Sequence, residues 1–105
     1  MKVRLTDLAV VIRSKNAGPY ELTLDIIFRD VADYRRVVAA GAVDRALIAR
    51  LYDITDAEIL ALVAFDPAAA IKITIRRPRP AGDLGETDVY GAQQHAPLLD
   101  LVLDL

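Results

Sequence analysis

The stretch YELTLDIIF, residues 20–28, decides how the rest of this 105-residue chain can fold. Its apolar residues fall at every second position from Leu22 to Phe28, and polar residues occupy most positions between them. Successive side chains of a β-strand point to opposite faces, so this pattern predicts a half-buried strand from Tyr20 to Phe28. The apolar face of such a strand must be covered by other elements.

Two helices are predicted directly after this strand. Asp30 precedes a helical stretch from Val31 to Ala40, and Gly41 ends it. Asp44 opens a second helix that runs to about Tyr52. The residues predicted to face inward in the first helix are Val31, Tyr34 and Val38.

Three further strands are predicted from the second half of the chain. The run Ile59 to Phe65 is wholly apolar, and its length favours a strand over a helix. Ile71 to Arg77 alternates, and the short link between the two runs predicts antiparallel pairing. Leu99 to Leu105 also alternates, which indicates a C-terminal strand at a sheet edge.

The residues before the first strand allow two interpretations. Leu5, Leu8, Ala9 and Ile12 have helical spacing, which favours a short helix. Leu8, Val10 and Ile12 also alternate, so a strand over residues 6–13 stays open. The sum of these elements predicts one α+β domain over residues 1–105. We expect a two-layer sandwich, close to ferredoxin-like, with a mostly antiparallel four-stranded sheet and two helices on one face.

Composition limits the classes of function. The apolar fraction is 54%, above the ordinary range of about 45–50%, so either the core is dense with Ala, Val, Ile and Leu or some apolar surface meets a partner. The chain has no cysteine and one histidine, which excludes thiolate sites and multi-histidine metal sites within one chain. We therefore predict no metal and no cofactor. A net charge of −2 argues against a general nucleic-acid binder, and no apolar run has the length of a membrane span. The absence of cysteine and of a signal peptide fits a cytoplasmic protein.

The long predicted loop from Pro78 to Ala96 carries the candidate catalytic residues. It contains His95, the only histidine, and Asp88 lies near enough in sequence to orient the ring for acid or base chemistry. A structural or partner-contacting histidine is the more common case, and both interpretations stay open. Three other residues of the loop suit ligand binding: Tyr90, Gln93 and Gln94.

A second candidate site is the segment RSKNAG, residues 13–18. Arg13 and Lys15 supply two cations, and Asn16 and Gly18 are typical of a turn with exposed amides. Such a turn can bind a carboxylate or phosphate. The alternative is a helix end with solvated cations.

The strings RSKNAGPYELTLDIIF and FDPAAAIKITIRRPRPAGDLGETDVYGAQQHAPLLDL resemble a small bacterial and fungal family of unknown function. The resemblance covers nearly the whole chain. That family occurs beside, or fused to, the acyclic terpene utilisation protein AtuA, whose C-terminal domain is described as ferredoxin-fold. The resemblance therefore implies an AtuA-type large subunit as partner and brings no catalytic residues with it.

From the residues and the resemblance together we expect a small subunit or accessory domain of an AtuA-type protein. Its context would be catabolism of an organic acid or acyl-CoA, either of which is a possible ligand. One alternative is a stand-alone lyase, hydratase or isomerase with His95 as acid or base, and another is an anion-binding module. Whether the chain is itself an enzyme stays open. A homo-oligomer formed through the C-terminal strand is compatible with each.

Overall fold

The computed structural model describes residues 1–18, 20–76 and 96–105. It shows an α+β protein with a four-stranded antiparallel sheet and a few helices. The strands are β1 (Lys2–Arg4), β2 (Ala9–Gly18), β3 (Glu21–Phe28), β4 (Ile59–Phe65), β5 (Ala70–Arg76) and β6 (Val102–Asp104). The helices are α1 (Leu5–Leu8), α2 (Val31–Ala40), α3 (Arg45–Tyr52) and α4 (Ala96–Leu99), with 3-10 turns at Asp56–Glu58 and Asp66–Ala68.

The four-stranded sheet has the order β2-β3-β5-β4, and each neighbouring pair is antiparallel. β3 and β5 are the central strands. The chain leaves β3, forms α2 and α3, and enters the sheet again at β4, which pairs with β5 as the short link predicted. β2 and β4 are therefore the edge strands of this sheet among the described residues.

The apolar core lies against one face of the sheet. The alternating residues predicted for β3 and β5 are buried: Leu22, Leu24, Ile26, Phe28, Ile71, Ile73 and Ile75. Helix residues Tyr34, Val37 and Ile48 belong to the same buried cluster. The predicted inward face of α2 is partly wrong, because Val31 is 50% exposed and Val38 is 41% exposed. Val37 is buried instead, one turn after Tyr34.

Local signals at the helix ends explain where α2 and α3 begin and end. Asp44 accepts a hydrogen bond from the backbone N–H of Leu47 at 2.8 Å, which satisfies a donor at the start of α3. Gly41 ends α2 in the left-handed conformation, with φ of 60°. Asp30 takes the position before α2, but its side chain makes no capping hydrogen bond.

Residues 5–18 combine both of the interpretations that the sequence left open. Leu5 and Leu8 are buried within the single turn of α1, and the chain then becomes the strand β2. A register shift between Ala9 and Val11 changes which residues of β2 face the core, so Val10 is 55% exposed. The favoured short helix is therefore wrong beyond Leu8.

The C-terminal residues form a different structure from the strand that was predicted. Residues 96–99 are helical. Pro97 is compatible with this helix because it lies in the first turn, where a backbone N–H is not needed. The strand is limited to β6, which pairs with β1 in a separate two-stranded sheet. The fourth strand of the main sheet is thus β2, and the strand order does not confirm a ferredoxin-like topology. In the described ranges, no helix combines the length and apolar character needed to cross a membrane.

Candidate functional site

The sheet has a second face, opposite the core, which we call the outer face. Along β3, Leu24 and Ile26 are in the core, so Asp25 lies on the outer face. The strand register places Arg13 of β2 and Lys72 of β5 directly beside Asp25, on either side. These three charged residues form one row across the sheet, and Val63 of β4 continues it.

A second row runs next to the first. Lys15 of β2 pairs with Thr23 of β3, which pairs with Thr74 of β5. Because these residues are two positions from those of the first row, they lie on the same face. At the end of the sheet, Glu21 pairs with Arg76. The outer face is thus rich in cations and hydroxyl groups, although the chain as a whole has a net charge of −2.

The first row contains an ion pair between unequally buried partners. The Nε atom of Arg13 donates a hydrogen bond to Oδ2 of Asp25 at 3.0 Å. The side chain of Asp25 is 6% exposed, whereas that of Arg13 is 58% exposed. The other carboxylate oxygen of Asp25, Oδ1, is buried and has no hydrogen-bond partner among the described residues. The pair therefore presents a guanidinium to solvent and keeps a carboxylate beneath it.

The opposite edge of the sheet is apolar and exposed. Strand β4 contains no charged or polar residue. Leu60, Val63 and Phe65 are 44%, 50% and 43% exposed. The ammonium group of Lys72 lies 5.4 Å from the centre of the Phe65 ring, a cation–π contact on the outer face.

The predicted anion-binding segment is placed differently from the prediction. Arg13, Lys15 and Asn16 are in the strand β2, so the prediction of an exposed amide turn is wrong. The strand spreads these side chains over both faces: Arg13 and Lys15 are on the outer face, and Asn16 pairs with Leu22 on the core side. Gly18 is at the strand end with φ of 154°, a conformation that L-residues rarely adopt.

The predicted catalytic pair and its neighbours lie outside the described residues. These are His95, Asp88, Tyr90, Gln93 and Gln94, so their roles stay predictions. Among the residues that the structure does describe, no three side chains of His, Cys, Asp or Glu come together as a possible metal site.

Asp25, the buried partner of the ion pair, was not singled out by the sequence. Asp25 sits in the polar half of an alternating strand, where a carboxylate is ordinarily hydrated. One signal was available, because antiparallel pairing of β2 with β3 places Asp25 opposite Arg13.

A hydrogen bond between α2 and the turn after β4 has a structural role. The hydroxyl of Tyr34 donates to Oδ1 of Asp66 at 2.6 Å, which joins α2 to the turn between β4 and β5. This hydrogen bond, together with burial, raises the pKa of Tyr34 above its ordinary value. The side chain of Asp66 thus connects the turn after β4 to α2.

Residues 5–102 match the family described as Domain of unknown function (DUF4387), so the chain belongs to that family. Neither a comparison with curated proteins nor one with solved structures finds a match. The matched residues include the helices α1 to α4 and the whole four-stranded sheet, with both rows of the outer face.

Proposed function

We propose that this DUF4387 chain is the small accessory subunit of an AtuA-type protein, which acts in catabolism of an organic acid or acyl-CoA. The observation that carries the proposal is the exposed apolar edge strand β4. The resemblance of the RSKNAGP and QQHAPLL strings to an AtuA-associated family names the partner.

Strand β4 has the properties of an edge that pairs with another chain. An edge strand presents backbone N–H and C=O groups that can accept a further strand. Stable monomers protect such edges with charged residues, proline or a covering element. The other edge of this sheet, β2, carries Arg13 and Lys15, whereas β4 carries no charge over all seven residues.

The placement of the exposed side chains supports the same conclusion. Val63 and Phe65 share the outer face, so a strand added beside β4 would also cover apolar side chains there. Addition of a strand combines backbone hydrogen bonds with side-chain contacts, which is a common way of recognising a partner. The proposal includes a two-layer, ferredoxin-like arrangement in which the helices cover only the core face of the sheet. The outer face is then available to contact the AtuA-type protein, and we place this complex in the cytoplasm.

Co-expression of the chain with an AtuA-type protein, followed by size-exclusion chromatography, tests the proposal. We expect one peak that contains both proteins. Val63→Lys places a charge on β4 and should separate them. Val31→Lys is the matched control, because Val31 and Val63 are the same residue type and each is 50% exposed.

Three results would contradict the proposal. Separate elution of the wild-type proteins at micromolar concentration argues against the partner. Equal loss of the complex in both variants argues against β4 as the contact. If the chain alone forms a dimer that Val63→Lys dissociates, β4 pairs with a second copy of the chain, and the proposed heteromeric docking is wrong.

A further inference from the structure

The geometry points to a binding site for small di- and tricarboxylates on the outer face. Arg13 holds one carboxylate of the ligand, Asp25 positions the guanidinium, and Lys15 and Lys72 supply charge for a second carboxylate. This inference goes beyond the proposed subunit role and does not depend on docking at β4.

The bond between Arg13 and Asp25 prepares the guanidinium for a ligand. It uses Nε, at 3.0 Å from Oδ2, so the two terminal nitrogens are not needed for it. Those two nitrogens can donate parallel hydrogen bonds to a second carboxylate, the geometry in which arginine binds carboxylates best. The side chain is 58% exposed, so a solute has access to it.

The burial of Asp25 is difficult to explain by stability. Burying a carboxylate is costly even when it is paired, and a buried oxygen without a partner adds to that cost. Aspartate is also depleted in strands. Ile27, the next outer-face residue of β3, shows that an apolar side chain fits this face. An aspartate kept at such a cost is expected where it holds a functional group in place.

The surrounding cations favour a ligand with more than one carboxylate. Lys15 lies about 7 Å along the strand from Arg13, since residues two apart are separated by twice the strand rise. Lys72 is two strand spacings from Arg13, or about 10 Å. Lys72 is exposed, and its contact with Phe65 can be exchanged for a ligand by rotation of a flexible side chain.

The backbone favours carboxylates over phosphates. Phosphate sites commonly use several backbone N–H groups that converge at a helix N-terminus or in a turn. Here the site residues are in strands, whose N–H groups lie in the plane of the sheet rather than on its face. Recognition therefore depends on side chains, and the planar guanidinium matches a planar carboxylate.

Isothermal titration calorimetry of the full chain at low salt tests the site. Succinate and citrate are the probes, and acetate and phosphate are the comparisons. We expect succinate and citrate to bind in the millimolar range or tighter, and more strongly than either comparison. Arg13→Lys keeps the positive charge beside Asp25 but loses the paired hydrogen bonds, so it should weaken succinate binding about 10-fold.

Two variants separate a defined site from general attraction to positive charge. Arg36→Lys is the matched control, because Arg36 is an exposed arginine on α2 that also pairs with an aspartate, Asp33, at 3.4 Å. It should bind succinate as the wild type does. Asp25→Asn makes the chain more positive, so general attraction would strengthen binding. A positioning role for Asp25 predicts weaker binding instead.

The inference is overturned by any of four results: no binding of succinate or citrate in the millimolar range, equal effects of Arg13→Lys and Arg36→Lys, tighter succinate binding by Asp25→Asn, or tighter binding of phosphate than of citrate. Circular dichroism and thermal melting check that each variant is folded. Arg13→Lys should still co-elute with the AtuA-type protein, because Arg13 is on β2, at the edge of the sheet opposite β4. Failure of the site and failure of the β4 complex are therefore distinguished.

Discussion

Removing one partner of the Arg13–Asp25 pair should have a very different effect from removing the other. Arg13→Met keeps most of the length of the side chain but leaves the carboxylate of Asp25, 6% exposed, without its ion-pair partner. Asp25→Val removes the buried carboxylate and leaves Arg13, which is 58% exposed and stays hydrated. The first change leaves a buried charge unpaired, and the second does not.

The size of each effect follows from burial. Breaking a buried ion pair so that one charge is left unpaired costs about 3–5 kcal/mol. The exposure of Arg13 lets water reach the site after substitution, so we expect the lower end, about 3 kcal/mol, for Arg13→Met. Replacing a buried charged group with an apolar one is often neutral or stabilising, and valine favours strands, so Asp25→Val should change stability by about 0 to +1 kcal/mol.

Urea denaturation followed by circular dichroism measures both free energies of unfolding. Arg36→Met is the control, because its ion pair lies on the surface of α2 and should be worth about 0.5 kcal/mol or less. The reasoning is refuted if Arg13→Met costs no more than Arg36→Met. It is refuted equally if Asp25→Val loses more than about 2 kcal/mol, because Asp25 would then be a structural residue.

Three further predictions concern the scaffold. Asp44→Ala should cost about 1 kcal/mol in urea denaturation, because the backbone N–H of Leu47 loses its acceptor, and Asp44→Asn should largely preserve stability. Gly41→Ala should cost about 1 kcal/mol through backbone strain alone, since φ is 60° and nothing lies within 4 Å of the added methyl; a loss above about 3 kcal/mol would contradict this. Burial raises the pKa of Tyr52, and the hydrogen bond to Asp66 raises the pKa of Tyr34. Each protonated hydroxyl therefore contributes its full stabilisation below about pH 10, and this contribution is lost as the pH rises further. Thermal melts between pH 9 and pH 11 should show a smaller alkaline loss in Tyr52→Phe than in the wild type.

The parts of the fold that sequence predicts are those in which burial leaves a periodic pattern. β3 and β5 alternate because one face of each meets the core, and β4 is bounded by a capping box and Asp66-Pro67. A capping box of Thr55 and Glu58 is recognisable from the residue types alone, and the structure contains it. Gly41 marks the end of α2, and Asp44 marks the beginning of α3. These signals are local, so the sequence alone contains them.

β2 could not be assigned in the same way. Its register shift after Ala9 moves the buried residues out of strict alternation, and its outer residues Arg13 and Lys15 resemble a solvated turn. What makes this segment a strand is pairing with β3, a contact that no local pattern expresses. The buried Asp25 was missed for the same reason, because its burial comes from neighbours on β2 and β5.

The two proposed surfaces lie at opposite edges of one sheet, so a substitution can change one without the other. Because both belong to the same sheet, a residue between them can connect binding at one surface with binding at the other. Arg13 is on β2, and the apolar edge is β4, with two strands between them. A chain added at β4 therefore extends the sheet on the side away from Arg13.

Lys72 is the residue that belongs to both surfaces, because it pairs with Asp25 in the register and lies 5.4 Å from the Phe65 ring. A partner that covers Phe65 removes water from this contact and strengthens it, which withholds Lys72 from a bound dicarboxylate. Succinate should accordingly bind more weakly to the complex than to the free chain, and by linkage it should weaken the complex by the same factor. Identical succinate affinity of the free chain and the complex would show that Lys72 does not connect the two surfaces.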